Sequence, residues 1–445
     1  MRSYLPLVIH CTIASILFTA CRDRDDSDDD AADDSSGSVD ESSTTEATPA
    51  ITYWQDLAPI IMDRCAGCHT DGGIAPFALD TYEAAAPWAA AAAEAVASHS
   101  MPPWLVTADG SCGEYRDARV LDDAEIDAFA QWAHGGAAQG DPRDDLQAPA
   151  PDRLTDADAF MTPEFVPMVE GGELAAHDEY RCFLIDPELA QDQFVTAFEV
   201  VPGNAAIVHH VLVFDVDPSL DLGGGTTNLD AIEALDAMTP DRDGWPCFGA
   251  AGEGVEVNGL PVVWAPGTAA TRYPEGTGMR IASGELLVAQ IHYNLAGVEG
   301  TPEADRTEVR LQLEDAVERE GFMQLPDPFL DTIFGDSPAS LPPGMPAVDY
   351  AWDLPIAAAL PDGVSGFEVH GVFPHMHERG RKMRMDRVNG SESSCAVSVP
   401  QWDFHWQGMY FYEQPLVVDA TDTLHVTCTY DTTDATEPVL PGWGT

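Results

Sequence analysis

Apolar positions along this chain change their period once. Between residues 51 and 134 they recur at helical spacing in "YWQDLAPIIMDRC", "TYEAAAPWAAAAAEAVASHS" and "LDDAEIDAFAQWAHGG". The last of these closes on two glycines, so a small helical unit is predicted from 51 to 142. From about residue 160 the texture switches to short β-branched and aromatic runs cut by Gly, Pro and Asp: "DQFVTAFEVVP", "IVHHVLVFDV" and "ELLVAQIHYNL". A second such series, "GFEVHGVFPHMHERG", "RKMRMDRV", "WDFHWQGMYFY" and "TLHVTCTYDTT", follows a loop-rich zone near 298–345. Runs of this kind predict strands, and their spacing predicts sandwiches. The economical reading is a multidomain chain: a small all-α unit, a Pro- and Asp-rich linker at 143–160, then two tandem all-β sandwiches at 161–300 and 301–445.

Charge narrows the partners. Across 445 residues, 76 Asp and Glu stand against 20 Lys and Arg, a net charge of −56, and Lys382 is the lone lysine. Such a surface repels nucleic acid and anionic lipid. The N-terminus has the layout of a secretory signal, Arg2 followed by an apolar stretch ending in "LFTAC", with Cys21 placed as a lipidated residue. Residues 1–21 are therefore expected to be a lipoprotein-type signal. Residues 22–50, acidic and Ser-rich, are expected to be a disordered tether, because they cannot bury enough surface to fold. The expected location is exported, periplasmic or at the cell surface of a bacterium, with membrane contact only through the lipid.

The helical unit contains "CAGCH", residues 65–69. At this spacing Cys65 and Cys68 can form thioethers with the two vinyl groups of a haem, and His69 then lies under the iron. One covalently bound haem c is the expectation, which makes the unit a small cytochrome c domain. For the sixth iron ligand, "SHSMPPW" favours Met101 over His99 and His134.

Adjacent His209 and His210 sit inside an otherwise apolar run, where neighbouring strand residues face opposite ways. Burying an imidazole without a partner costs on the order of 1–3 kcal/mol. A metal gives both a reason to stay, provided the strand bulges to turn the rings together. In "GELLVAQIHYNL" alternation sends Leu287, Ala289, Ile291 and Tyr293 to one face and His292, with Gln290 and Asn294, to a wetter one. His375 and His377, two apart on an extended strand, aim the same way. His177, His405 and His425 read as ordinary hydrogen-bonded histidines.

"DEYRCF", "VPGNAAIVHHVLVFD", "WAPG", "QIHYN" and "FPHMH", in this order over residues 160–445, resemble the copper type II ascorbate-dependent monooxygenases, the peptidylglycine α-hydroxylating and dopamine β-monooxygenase-like family. The "RCAGCH...IAPF...MPPW" pattern looks like the cytochrome domain fused to bacterial members. The resemblance implies two jelly-roll-like copper domains. It implies an electron-transfer copper on His209, His210 and His292, and an oxygen-activating copper on His375 and His377 plus a methionine. Imidazole suits copper, and a thioether favours Cu(I). His370 is ambiguous and is favoured as a residue behind the ligands.

The resemblance places that methionine beyond Thr445, so the expectation is that the sequence is part of a longer protein. Cysteine parity agrees: once Cys11, Cys21, Cys65 and Cys68 are set aside, Cys112, Cys182, Cys247, Cys395 and Cys428 remain. Cys182 and Cys247 resemble a disulfide of the first sandwich, and Cys428 resembles a cysteine whose partner lies beside the missing methionine. The rival is a natural variant with Cys395 bonded to Cys428. The functional expectation is a monooxygenase using O2 to hydroxylate a C–H bond of a small organic or peptide-like substrate. Electrons would arrive through the haem from a small-molecule or protein donor. Two alternatives are a haem lipoprotein that binds copper or transfers electrons without hydroxylating, and a plain β-sandwich binding module.

Overall fold

The computed structural model describes residues 50–439 apart from 72, 74, 149–151, 169–176, 248–250, 297, 299, 324–339 and 361–363. The expected signal, Cys21 and the tether lie outside the described residues. Among the described residues no helix is long and apolar enough to cross a membrane.

A π-helical turn, Tyr53–Leu57, runs into α1 (Ala58–Arg64), followed by α2 (Tyr82–Ala85), α3 (Ala89–Ala97) and α4 (Asp123–His134). The start of α4 is fixed by a capping box: Asp122 Oδ1 accepts from the Glu125 N–H at 2.8 Å, and Glu125 Oε2 accepts from the Asp122 N–H at 2.9 Å. Tyr53, Leu57, Ile61, Phe129 and Trp132 form the core of this unit.

The chain then enters β1 (Asp158–Met161), β2 (Asp178–Ile185), β3 (Gln193–Val201), β4 (Val208–Val216), the short β5 (Asp221–Gly223) and β6 (Thr226–Thr227), and helix α5 (Asn228–Asp236). It continues through β7 (Trp245–Pro246), β8 (Gly259–Trp264), β9 (Thr271–Arg272), β10 (Thr277–Ile281), β11 (Leu286–Asn294), β12 (Glu308–Glu314) and β13 (Arg319–Gly321). One sheet has the order β1-β12-β3-β10-β13 with β9 beside β3, and the other β7-β2-β11-β4-β8. Phe183, Phe198, Val211, Val213, Val262, Leu287, Ile291 and Leu311 interdigitate between them. Because β12 pairs β3 and β13 pairs β10, the first sandwich continues to Gly321, past the boundary expected at 300.

The second sandwich comprises β14 (Val348–Pro355), β15 (Gly366–Val372), β16 (Gly380–Asn389), β17 (Glu392–Val399), β18 (Tyr410–Asp419) and β19 (Thr423–Tyr430). A four-stranded sheet, β14-β19-β16-β17, faces the pair β15-β18. Its core holds a correction to the expected domain limits. Leu105, Val106 and Tyr115, assigned from sequence to the helical unit, are buried here among Val397, Val399, Trp402, Tyr410 and Tyr412. The Thr107 N–H donates to Ser398 O at 2.8 Å, the Arg116 N–H donates to Phe411 O at 2.9 Å, and Cys112 is bonded to Cys395. Residues 105–116 are thus a strap of the C-terminal sandwich carried by the N-terminal part of the chain.

Cys182 is bonded to Cys247, and Cys428 is a buried free thiol, so the alternative Cys395–Cys428 pairing is replaced by Cys112–Cys395. Two disulfides mark an exported protein.

Candidate functional site

Strand β4 pairs β11 with His210 opposite His292, after which Tyr293 faces Val208; His209 is the extra residue of a bulge. The bulge does what the sequence required of it. It turns His209 out of alternation, so that both neighbouring rings meet His292. Ring centroids of His209 and His210 each lie 4.7 Å from that of His292 and 5.7 Å from each other. One ligating atom from each residue falls within 4.8 Å of the others.

The face carrying His292 is not wet. His292 is 2% exposed and Gln290 is fully buried, because the outer side of β11 is covered as completely as its inner side. Burial holds these imidazoles neutral. The His209 ring is lowered to about 4, chiefly by desolvation, with Asp178 raising it and His405 lowering it. His210 and His292 are lowered well below the ordinary range by desolvation and then by neighbouring histidines.

His292 stacks on Tyr180 at 4.1 Å between centroids, and its Nε2 donates to Asp178 Oδ1 at 2.9 Å. That bond fixes the tautomer, leaving the Nδ1 lone pair for another partner. The Nδ1 atoms of His209 and His292 are buried and meet no hydrogen-bond donor or acceptor among the described residues. Buried neutral imidazoles with inward lone pairs fit a copper or zinc ion as a donor set.

His375 and His377 lie in the irregular link between β15 and β16 rather than on a strand, yet they retain the alternation expected of one: Met376 enters the apolar core between them. Their rings are 5.2 Å apart and nearly perpendicular. His375 Nδ1 donates to Gln407 Oε1 at 2.7 Å, which orients the ring, and desolvation lowers the His377 pKa well below the ordinary range.

The two groups are neighbours. Phe404 stacks on His209 at 5.4 Å and meets His377 edge-on at 6.3 Å. Glu378 stands at the same junction, its carboxyl pushed up to about 7 by burial, lowered by His405 and raised by Asp178.

His370 instead sits on β15 bonded to Glu368. His405 and His425 bond to Asp403 and Asp353, as ordinary polar histidines do. His177 is exposed.

In the helical unit, His69 is 9% exposed and its Nδ1 donates to Phe77 O at 3.0 Å, leaving Nε2 directed elsewhere. Cys65 and Cys68 are free thiols; burial pushes Cys65 up to about 12, with Cys68 and Glu125 adding to the rise. Burial also raises Cys68, against the nearby Arg119. Two unpaired cysteines and an imidazole with one nitrogen reserved fit covalent haem attachment. Met101 lies in the loop after α3, at a cis Met101–Pro102 bond. His99 lies just before it and His134 ends α4. Sequence reasoning missed Asp178, Gln407, Phe404 and Glu378 as parts of the site. The one available signal was the position of Asp178 two residues before Tyr180 in "DEYRCF".

Two all-β units that bring a histidine trio and a histidine pair into contact with one aromatic ring define a candidate two-centre metalloprotein. Residues 353–445 match the C-terminal domain of the copper type II ascorbate-dependent monooxygenases. The chain is 26% identical over 278 residues to dopamine beta-hydroxylase of Homo sapiens, covering 60% of this chain and 41% of that protein. It is 24% identical over 277 residues to the Bos taurus protein of the same name, covering 60% and 42%. These matches support the copper type II ascorbate-dependent monooxygenase family. The chain spans about two fifths of the length of these curated relatives. The cryo-EM structure of Broad Bean Stain Virus aligns at 9% identity with a TM-score of 0.20, over 66% of this chain and 94% of that one, too slight a likeness to bear on the fold.

Proposed function

We propose that this protein is a copper-dependent monooxygenase that uses O2 to hydroxylate a C–H bond of a small organic or peptide-like substrate. Its electrons would be relayed through a c-type haem in the helical unit from an external donor. The observation that carries the reading is the buried convergence of His209, His210 and His292 beside His375 and His377, with Phe404 in contact with a ring of each group. Copper bound at these two groups would supply one-electron redox chemistry and O2 activation, and haem on Cys65, Cys68 and His69 would supply further reducing equivalents.

The remaining work falls to the chain. Desolvation keeps His209, His210, His292 and His377 unprotonated at neutral pH, so no proton competes for their ligand nitrogens. Asp178 and Gln407 hold His292 and His375 in single tautomers, and Phe404 packs against His209 and His377. Met101 is the proposed sixth ligand in the helical unit. Cys21 is proposed to be lipidated, which would anchor an otherwise periplasmic or cell-surface protein.

A second reading, copper binding or electron transfer without hydroxylation, is favoured by one observation. Met376 is turned into the core, which leaves the His375–His377 group without a thioether from that position.

The test is a count followed by a turnover. Reconstituted protein is expected to hold two coppers per chain, with His209→Ala and His375→Ala each losing one. A haem absorption band should vanish in the Cys65→Ser/Cys68→Ser variant. Reduced holoprotein should place one atom from ¹⁸O2 into the product when offered a panel of small amines, phenylalkyl compounds and glycine-extended peptides. Two coppers with no ¹⁸O in any product would favour the second reading, and no copper at all would reject both.

A further inference from the structure

Each histidine group fixes one ring through the nitrogen that faces away from the prospective metal, but the partners differ in charge. At the trio, Asp178 Oδ1 accepts from His292 Nε2 at 2.9 Å and from Asn294 Nδ2 at 2.7 Å. Side-chain exposure of His292 and Asp178 is 2% and 10%, so the carboxylate acts in a nearly dry environment. It is brought there by register: Asp178 faces Asn294 and Tyr180 faces His292 across the β2–β11 ladder. At the pair, the partner of His375 Nδ1 is the neutral carbonyl of Gln407, whose own Nε2 donates to Phe404 O at 3.0 Å. Glu378, the other carboxyl nearby, keeps Oε2 buried without a hydrogen-bond partner among the described residues.

A carboxylate bound to the outer N–H of a metal-ligating imidazole makes the ring a stronger donor and adds a negative charge a few ångströms from the ion. Both effects favour the higher oxidation state. A neutral amide orients the ring without adding that charge.

We propose that Asp178 is a positioning residue that fixes His292 and, through it, holds a copper at the trio at a lower reduction potential than the same imidazoles would give with an uncharged acceptor behind His292. The inference rests on the copper reading of the trio.

The experiment uses full-length protein in a His375→Ala background, so that Cu(II) loads the trio, and follows the Cu(II) signal by electron paramagnetic resonance during a redox titration. Asp178→Asn keeps an oxygen that accepts from Nε2 and removes the charge. Its expected effect is a rise of about tenfold in the Cu(I)/Cu(II) ratio at a fixed potential, equivalent to about 59 mV for a one-electron couple. Asp178→Ala removes the acceptor as well and should also weaken copper binding roughly 10- to 100-fold, measured against a competing chelator.

Asn294→Ala supplies a test of opposite sign. It strips a donor from the carboxylate, leaves more charge on the ring, and should shift the ratio toward Cu(II). Overturning results are an Asp178→Asn titration that superimposes on the parent, or Asn294→Ala moving in the same direction as Asp178→Asn. If the parent takes up no copper at the trio, the functional reading itself falls, an outcome read before any potential is measured.

Discussion

Three imidazoles kept neutral by burial should leave a mark on stability in the absence of metal. His209 has a folded-state pKa of about 4 against an ordinary value of 6.5. Above pH 6.5 neither state carries the proton and nothing is lost. As pH falls below 6.5 the unfolded chain takes up a proton that the folded chain refuses, so stability drops until about pH 4, where both are protonated. Working the linkage between pH 7.5 and 5 gives a loss of about 2 kcal/mol from His209 alone. His210 and His292 act in the same direction. His209→Gln deletes the titrating group and should remove that share of the pH dependence.

The assay is urea unfolding of chelator-treated protein at pH 7.5 and 5. It is read through β4 and β11 peptides by pulse-labelling mass spectrometry, so that the first sandwich is followed apart from its neighbours. Parent and variant losing the same stability between the two pH values would refute the reasoning, because the depressed His209 would then be making no contribution.

Two further outcomes follow from the fold. Breaking Cys112–Cys395 with paired serines should cost about 2–5 kcal/mol in the C-terminal sandwich, read as a lower unfolding midpoint together with faster hydrogen exchange in residues 105–116. Gly244 has φ +67°, and a Cβ there would stand 2.1 Å from Cys182 O. Gly244→Ala should therefore destabilise the first sandwich by more than the roughly 1 kcal/mol of a left-handed alanine alone, measured as a drop in Tm under non-reducing conditions.

The parts of this molecule that sequence exposes are those with short-range signatures. Helical spacing marked the N-terminal unit, and alternation marked the strands of both sandwiches. Two adjacent histidines in an apolar strand demanded a bulge, which β4 supplies at His209. What stayed hidden depends on partners far along the chain. Asp178 matters because β2 and β11 lie side by side, a pairing across 114 residues that composition does not encode. Gln407 reaches His375 from a loop 32 residues on, and Glu378 is shifted by a neighbour from the other sandwich. The strap at 105–116 read as part of the helical unit because its burial comes from strands almost three hundred residues later. His292 was placed on a wetter face because alternation reports two faces but not whether the second is covered.

The bond between Cys112 and Cys395 spans 283 positions and therefore closes a covalent ring around the whole first sandwich. A nick anywhere inside that ring leaves the two ends of the molecule joined, so fragments separate only after reduction. Synthesis order is affected as well. Leu105, Val106 and Tyr115 leave the ribosome early, but their burial site does not exist until Val397, Tyr410 and Tyr412 have been made. Docking of residues 105–116 therefore cannot precede synthesis of the strands that bury them, and oxidation of Cys112 with Cys395 records that docking.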